Sequence, residues 1–234
     1  MSSTGEVVRR PVTAPTPPPQ ALTVFGPALE AAAVYADLLA GPAVERGLVG
    51  PREADRIWER HLLNCAVIAP LLPAGSVVDL GSGAGLPGIV LALLRPDCTF
   101  TLVDATRRRT DFLAEVVDRL GLTAVSVRWA RAEELAGTLS ADVVVARAVA
   151  PLERLVRWGL PLLRPGGELL ALKGAGAEDE ANRAAAAVRA AGGGDVRVER
   201  CGEGVVDPPA TVVRVRGTRS DRTRQRRKEE RRGR

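Results

Sequence analysis

Hydrophobic residues along this chain recur first at helical spacing and then in alternating strand-like and helix-like blocks. From Pro27 to Leu39, Leu29, Ala32, Ala33, Ala36 and Leu39 fall on a helical repeat that Gly41-Pro42 stops. Gly50-Pro51 opens a second helical pattern, Arg52 to Leu72, with Ile57, Trp58, Leu62, Cys65, Ala66 and Ile68 on one side and Arg52, Glu53, Arg56, Glu59 and Arg60 on the other. A β-branched run ending in Asp79 then enters a glycine-rich turn, and the apolar segment Ile89 to Leu94 resumes as a helix. After it, Thr99–Val103, Ala124–Trp129, Asp142–Ala146 and Gly167–Lys173 read as strands, and Thr106–Leu120, Leu152–Leu163 and Asp179–Ala191 read as helices between or after them. Repeated units of this kind predict a parallel sheet with helices on both faces. The last two strands, Asp195–Cys201 and Thr211–Val215, are joined only by Gly202–Ala210, too short for a parallel crossover, so the final strand is predicted to run antiparallel.

Composition fits one α/β domain: 234 residues, 46% hydrophobic and 26% charged. Residues 1–22, with Pro11, Pro15, Pro17, Pro18 and Pro19 among small polar residues, are expected to form a disordered arm. N-terminal helices are expected over 23–74, the ligand-binding domain over 75–216, and a disordered basic tail over 217–234. The net charge of +5 is concentrated in that tail, because Arg216–Arg234 holds ten Lys or Arg against three acids and leaves the body slightly acidic. No apolar run approaches the roughly 18 residues of a membrane span, and no secretory signal is apparent, so a cytoplasmic protein without a membrane partner is expected. Cys65, Cys98 and Cys201 form no C-x-x-C pair; they are read as small buried apolar residues, and no metal site is expected.

The chemistry concentrates in Val77–Gly88. Four glycines (Gly81, Gly83, Gly85, Gly88) fall within eight residues between a strand and a helix, where a Cβ would obstruct close approaches. Pro87 suits the first helical position. Free N–H groups at that helix start would cradle a polar or anionic part of a nucleotide-like ligand. Gly83-Ala84-Gly85-Leu86-Pro87-Gly88 matches the dinucleotide fingerprint, and Asp104 at the next strand end can accept hydrogen bonds from ribose hydroxyls. Three features turn the reading away from a dinucleotide. Asp79 precedes Gly81 by two residues and can meet a cationic amine, such as that of S-adenosylmethionine. The C-terminal antiparallel pair is not needed by a dinucleotide half, and no Tyr-x-x-x-Lys or His-acid pair follows the strands to accompany hydride transfer.

Asp79-Leu80-Gly81-Ser82-Gly83-Ala84-Gly85-Leu86-Pro87-Gly88-Ile89 resembles the cofactor loop of the RsmG (GidB) family of ribosomal small-subunit RNA guanine-N7 methyltransferases. Three more segments agree, in order: Arg60-His61-Leu62-Leu63-Asn64, Ala146-Arg147-Ala148-Val149-Ala150 and Ala171-Leu172-Lys173-Gly174. The resemblance covers roughly residues 27–216. It implies a seven-stranded, mostly parallel, Rossmann-like class I methyltransferase sheet with the last strand antiparallel, S-adenosylmethionine as cofactor, and 16S rRNA or the small subunit as partner. It also implies that Gly81 and Leu86 line the cofactor and that Ala132 and Glu133 flank its adenine, although Glu133 equally suits a plain helix N-terminal acid.

The expected cofactor set is therefore Asp79, Gly81, Gly83, Leu86, Asp104, Ala132, Glu133 and Arg147. Arg147, at the ligand end of the fourth strand, can hold the cofactor carboxylate, donate to guanine O6 or a phosphate, or sit in a surface ion pair. Arg60, His61 and Lys173 are candidates for RNA contacts, against the plainer reading of His61 as a helix-packing residue. N7 of guanine attacks without losing a proton, so no catalytic base is expected. The basic tail can add salt-sensitive affinity for RNA backbone, or serve only solubility. A monomer is expected. The rivals are a non-catalytic RNA-binding protein on the same fold and a small-molecule methyltransferase.

Overall fold

The computed structural model describes residues 13–218. Seven strands form one sheet in the order β3-β2-β1-β4-β5-β7-β6. They are β1 (Gly75–Leu80), β2 (Cys98–Asp104), β3 (Val125–Trp129), β4 (Ala141–Arg147), β5 (Leu163–Lys173), β6 (Gly193–Cys201) and β7 (Ala210–Gly217). All neighbouring pairs from β3 to β5 are parallel, and β7 runs antiparallel to both β5 and β6, as the short connection requires. The order reverses between β1 and β4. A topological switch point therefore opens above their carboxyl ends, the place where open α/β sheets bind ligands.

The central strands are buried on both faces because helices cover both. On one face lie α4 (Gly88–Leu94) and α5 (Arg107–Arg119), with the N-terminal helices; on the other lie α6 (Ala132–Leu135), α7 (Leu152–Gly159) and α8 (Ala177–Ala190). Alternation along β4 divides the strand between the two cores, Val143 and Val145 facing the first and Val144 and Ala146 the second.

The N-terminal region departs from the sequence expectation in three ways. Order begins well before residue 23: α1 (Pro19–Phe25) starts on the last proline of the expected arm, and Trp58 Nε1 donates to the carbonyl of Pro15 at 2.7 Å. Residues 1–12 of that arm lie outside the described residues. The pattern from Arg52 to Leu72 is not one helix but a 3-10 segment (Pro51–Arg56), a π-helical segment (Ile57–Leu63), α3 (Asn64–Ala66) and a 3-10 turn (Ala69–Leu71). Finally, Pro19–Ala43, which contains α2 (Leu29–Leu38), is a helical stretch of 25 residues, long and apolar enough by length and composition to cross a membrane. Its inner face packs on the sheet core through Phe25, Ala32, Tyr35, Ala36 and Leu39, each no more than 2% exposed. At the other end, β7 continues to Gly217, and residues 219–234 of the expected tail lie outside the described residues.

The strand starts opposite the switch point are tied by a buried carboxylate. Asp142, 5% exposed, accepts from the Ser76 amide at 2.8 Å and the Ser76 hydroxyl at 2.9 Å, and pairs with Arg164. Asp142→Ala leaves these donors without their acceptor and is expected to cost about 2–3 kcal/mol of folding stability in urea denaturation. Ligand affinity at the far ends of the strands should stay within about twofold, since distant sites act additively.

Candidate functional site

The turn after β1 is held by hydrogen bonds within itself and to the end of β2. The amides of Gly81 and Ser82 donate to the Val103 carbonyl at 2.8 and 3.0 Å, and those of Gly85 and Leu86 to the Ser82 carbonyl at 2.7 and 3.1 Å. The Gly83 amide donates to Asp104 Oδ2, and the Gly88 amide to Asp79 Oδ2, both at 3.0 Å. This corrects the expected anion cradle: the N–H groups that would meet a pyrophosphate are already engaged. Pro87 is also displaced by one residue, standing at the N-cap of α4 and not within its first turn.

Two glycines here answer to steric demands. Gly81 adopts φ +71°, and a Cβ on it would lie 2.7 Å from Val149 Cγ2. At Gly88 a Cβ would lie 2.5 Å from Asp79 Oδ2 and collide with Leu102. The second constraint lets the helix start close directly onto the Asp79 carboxylate.

Asp79 is fully buried, and its Oδ1 has no hydrogen-bond partner. Burial, the largest influence, pushes its carboxyl up to about 7, against the Gly88 amide hydrogen bond that favours the charged form, while the Ser82 hydroxyl donates to the Asp79 backbone carbonyl at 3.0 Å. An orphaned buried oxygen of this kind asks for a donor. Asp104, 3% exposed at the end of β2, also accepts from the Thr106 amide at 2.8 Å and pairs with Arg109 at 3.4 Å.

Across the switch point, Arg147 ends β4. The next residue, Ala148, has φ 55°, a left-handed conformation that a Cβ disfavours, and the turn it makes lays Val149 over Gly81. The Arg147 guanidinium donates to His61 Nδ1 at 2.6 Å, to Cys65 Sγ at 3.0 Å and to the Arg60 carbonyl at 3.3 Å. No carboxylate lies within 4.0 Å of it among the described residues, so the surface ion pair does not hold.

His61 is buried, and its Nε2 stands 2.9 Å from Glu53 Oε2, which also pairs with Arg60 Nε at 3.2 Å. Burial and then the Arg147 charge lower the His61 pKa to about 4, against the raising effect of Glu53, so the ring is neutral near pH 7. Its two nitrogens both have partners within the chain. Lys173 Nζ donates to the Ala150 carbonyl and to Glu180 Oε1, both at 2.8 Å, with its side chain 12% exposed. Arg60 remains open to solvent, at 54% side-chain exposure. Ala132 is buried and Glu133 exposed in the first turn of α6, beyond β3, while Leu86 is half-buried in the glycine turn.

With the geometry in place, likeness to known proteins decides the family. The model of the family described as GidB, rRNA small subunit methyltransferase G, matches residues 28–207. The chain belongs to the GidB family. Relatives named ribosomal RNA small subunit methyltransferase G include one from Salinispora tropica, 56% identical over 86% of this chain and 88% of its own length. Another, from Streptomyces avermitilis, is 57% identical over 86% of this chain and 85% of its own. Among solved structures, the N-methyltransferase NodS from Bradyrhizobium japonicum WM9, in complex with S-adenosyl-L-homocysteine, aligns over 76% of this chain and 98% of its own with a TM-score of 0.52 at 17% identity, a likeness of fold.

S-Adenosylmethionine is the cofactor of this GidB-family chain, and the residues present fit it. The turn presents engaged amides and a buried acid, which suits a cationic ligand better than a pyrophosphate. Sequence reasoning missed Tyr35, the single tyrosine, whose buried hydroxyl donates to the Ala84 carbonyl at 2.8 Å and braces the turn from α2. It also missed the part of Glu53, and it took Cys65 as merely apolar where Cys65 accepts from Arg147. Cys201 is half-buried and not core.

Asp79 generates a prediction with a definite sign. Its folded pKa is raised from 3.8 to about 7, so the associated stability is fully present below about pH 3.8 and is lost as pH rises through 7. Asp79→Asn removes that loss and is expected to stabilise the free protein above pH 7 by about 2–3 kcal/mol in denaturant titrations, given 1.36 kcal/mol per pKa unit and a discount for relaxation. The same variant should bind S-adenosylmethionine more weakly by calorimetry; a stabilised variant with undiminished affinity would show that the carboxylate has no part in the site.

Proposed function

We propose that this chain is a cytoplasmic enzyme that transfers a methyl group from S-adenosylmethionine to N7 of a guanine in 16S ribosomal RNA of the small subunit. The observation that carries the reading is the switch-point crevice itself, with the Asp79-Gly81-Gly83-Leu86 turn on β1 facing Arg147 on β4, within a chain of the GidB family. The named activity of its relatives, rRNA small subunit methylation, supports the substrate class. The N7 position rests on the resemblance together with the chemistry of the crevice.

Asp79, Gly81, Gly83, Leu86, Asp104, Ala132, Glu133 and Arg147 would hold the cofactor, with Asp104 placed for ribose hydroxyls and Asp79 for the amine. The bound cofactor supplies an electrophilic methyl group on its sulfonium. The chain's part is to bring the guanine in line with that group and to exclude water, which positioning alone can accelerate strongly. Arg60, exposed beside the crevice, is suited to an RNA phosphate, and Arg147 to the cofactor carboxylate or to guanine O6. Action as a monomer is part of this proposal.

The test is incubation with labelled cofactor and naked RNA, small subunits or whole ribosomes, followed by mapping of the modified base. Label at N7 of one guanine of 16S rRNA is expected. Label on an exocyclic amine, on a ribose or on a small molecule would refute the assignment. Cofactor binding without transfer to any RNA, or no binding at all, would favour a non-catalytic RNA-binding protein.

Residues 219–234, with nine Lys or Arg against three acids, are suited to sequence-independent contacts with RNA backbone. Deleting them is expected to weaken RNA binding and flatten its dependence on salt, measured by filter binding from about 50 to 200 mM salt, the range over which backbone contacts weaken most visibly. Equal affinity at every salt concentration would leave the tail a solubilising role only.

A further inference from the structure

Between the crevice and solvent runs a chain of contacts that the methyl-transfer reading does not use. Arg147 donates to His61 Nδ1 at 2.6 Å, and His61 Nε2 meets Glu53 Oε2 at 2.9 Å. A guanidinium is a donor only, so Nδ1 must offer its lone pair and the proton must sit on Nε2. The Glu53 carboxylate is an acceptor and takes the hydrogen bond from that proton. The three side chains thus admit one arrangement: a neutral imidazole, protonated at Nε2, with its acceptor face on Arg147.

The elements explain why the arrangement is fixed. Glu53 lies on the 3-10 segment Pro51–Arg56 and His61 on the π-helical segment Ile57–Leu63, and the chain leaves helical geometry between them at Arg56 (φ −120°, ψ 17°), where residues eight apart come into contact. The charged and titratable groups facing the imidazole are Arg147 from β4, Glu53, Arg60 and, through Arg147, Cys65. Glu53 is half-buried, with a side-chain exposure of 29%, and is shared with Arg60, so it is not needed to fill the core. Its placement serves the ring.

We propose that Glu53 and His61 are positioning residues: Glu53 fixes the His61 ring and tautomer, and His61 holds the Arg147 guanidinium at the cofactor crevice before any ligand arrives. The proposal rests on the reading of Arg147 as a cofactor residue. Holding a long, rotamer-rich side chain in place beforehand removes an ordering cost that binding would otherwise bear. Cys65 Sγ and the Arg60 carbonyl supply the remaining acceptors but set no tautomer.

His61 is the single histidine of the chain, so its ring nitrogens can be followed by 15N NMR without assignment ambiguity. In the full-length protein the Nε2–H signature with Nδ1 as acceptor is expected near pH 7. Glu53→Ala should replace it with exchange-averaged tautomers and weaken S-adenosylmethionine binding by calorimetry by roughly five- to tenfold, the equivalent of one buried hydrogen bond. Glu53→Gln keeps an acceptor of the same reach without the charge and should restore most of both signals, which a purely electrostatic role would not.

Wild-type signature and affinity in Glu53→Ala would overturn the proposal. An altered signature with unaltered affinity would also overturn it, at the step from His61 to the cofactor. Arg147→Met separates the underlying reading. If it leaves affinity intact while Glu53→Ala weakens binding, the assignment of Arg147 to the cofactor fails, and the route from Glu53 through Arg147 fails with it. If both variants weaken binding and the double variant is no worse than Arg147→Met alone, Glu53 acts through Arg147.

Discussion

The structure turns on a fully buried carboxylate. Asp79 stands at the end of a strand flanked on both sides, and the Gly88 amide caps onto it because no Cβ intervenes. That one contact sets the angle at which α4 leaves the sheet. It also leaves Oδ1 unpaired, a cost that burial in low dielectric makes large. A core selected for stability alone would place an apolar or amide side chain there. Retaining the acid makes sense where a bound cation repays the desolvation, and so the most destabilising residue of the turn is also the most informative about its ligand.

Around this point the N-terminal helices act as a wall. Tyr35 braces the turn through the Ala84 carbonyl, and the segment from Pro51 to Leu63 closes over Arg147. The wall is itself secured by Trp58, packed edge-on against Phe25 at 6.0 Å and tied to Pro15. The proline-rich stretch before α1 is therefore part of the packing from about residue 14, where Ala14 meets the core and donates to Asp37. A composition that cannot build a core can still be ordered by one already present.

The sheet was legible in the sequence because its signals are local: β-branched runs bounded by turns, and a nine-residue connection that forbids a parallel crossover. The glycine turn was legible as well, since a carboxylate and closely spaced glycines have few other uses. What escaped was set by tertiary contact. Nothing in the pattern from Arg52 to Leu72 marks the change from 3-10 to π-helical winding, and without it Glu53 and His61 would lie about 12 Å apart along an ideal helix. The engaged amides of the turn were hidden for the same reason, because Asp104 and the Val103 carbonyl come from another strand. Lys173 looked free until Glu180, on the following helix, and the Ala150 carbonyl closed on it.

The occupied histidine bears on which reaction this crevice can run. A ring with one nitrogen accepting from Arg147 and the other donating to Glu53 has no lone pair left for a substrate proton, and its pKa near 4 makes it a poor base at neutral pH. Asp79 is given to the cofactor's amine, and Asp104 already accepts from the Gly83 and Thr106 amides. Methylation of an exocyclic amine or a ribose hydroxyl must dispose of a proton, and His61, the histidine beside Arg147, has both ring nitrogens engaged among the described residues. A ring nitrogen such as guanine N7 carries its lone pair in the plane and needs only alignment. The crevice thus suits a nucleophile that arrives ready to react and needs no proton taken from it.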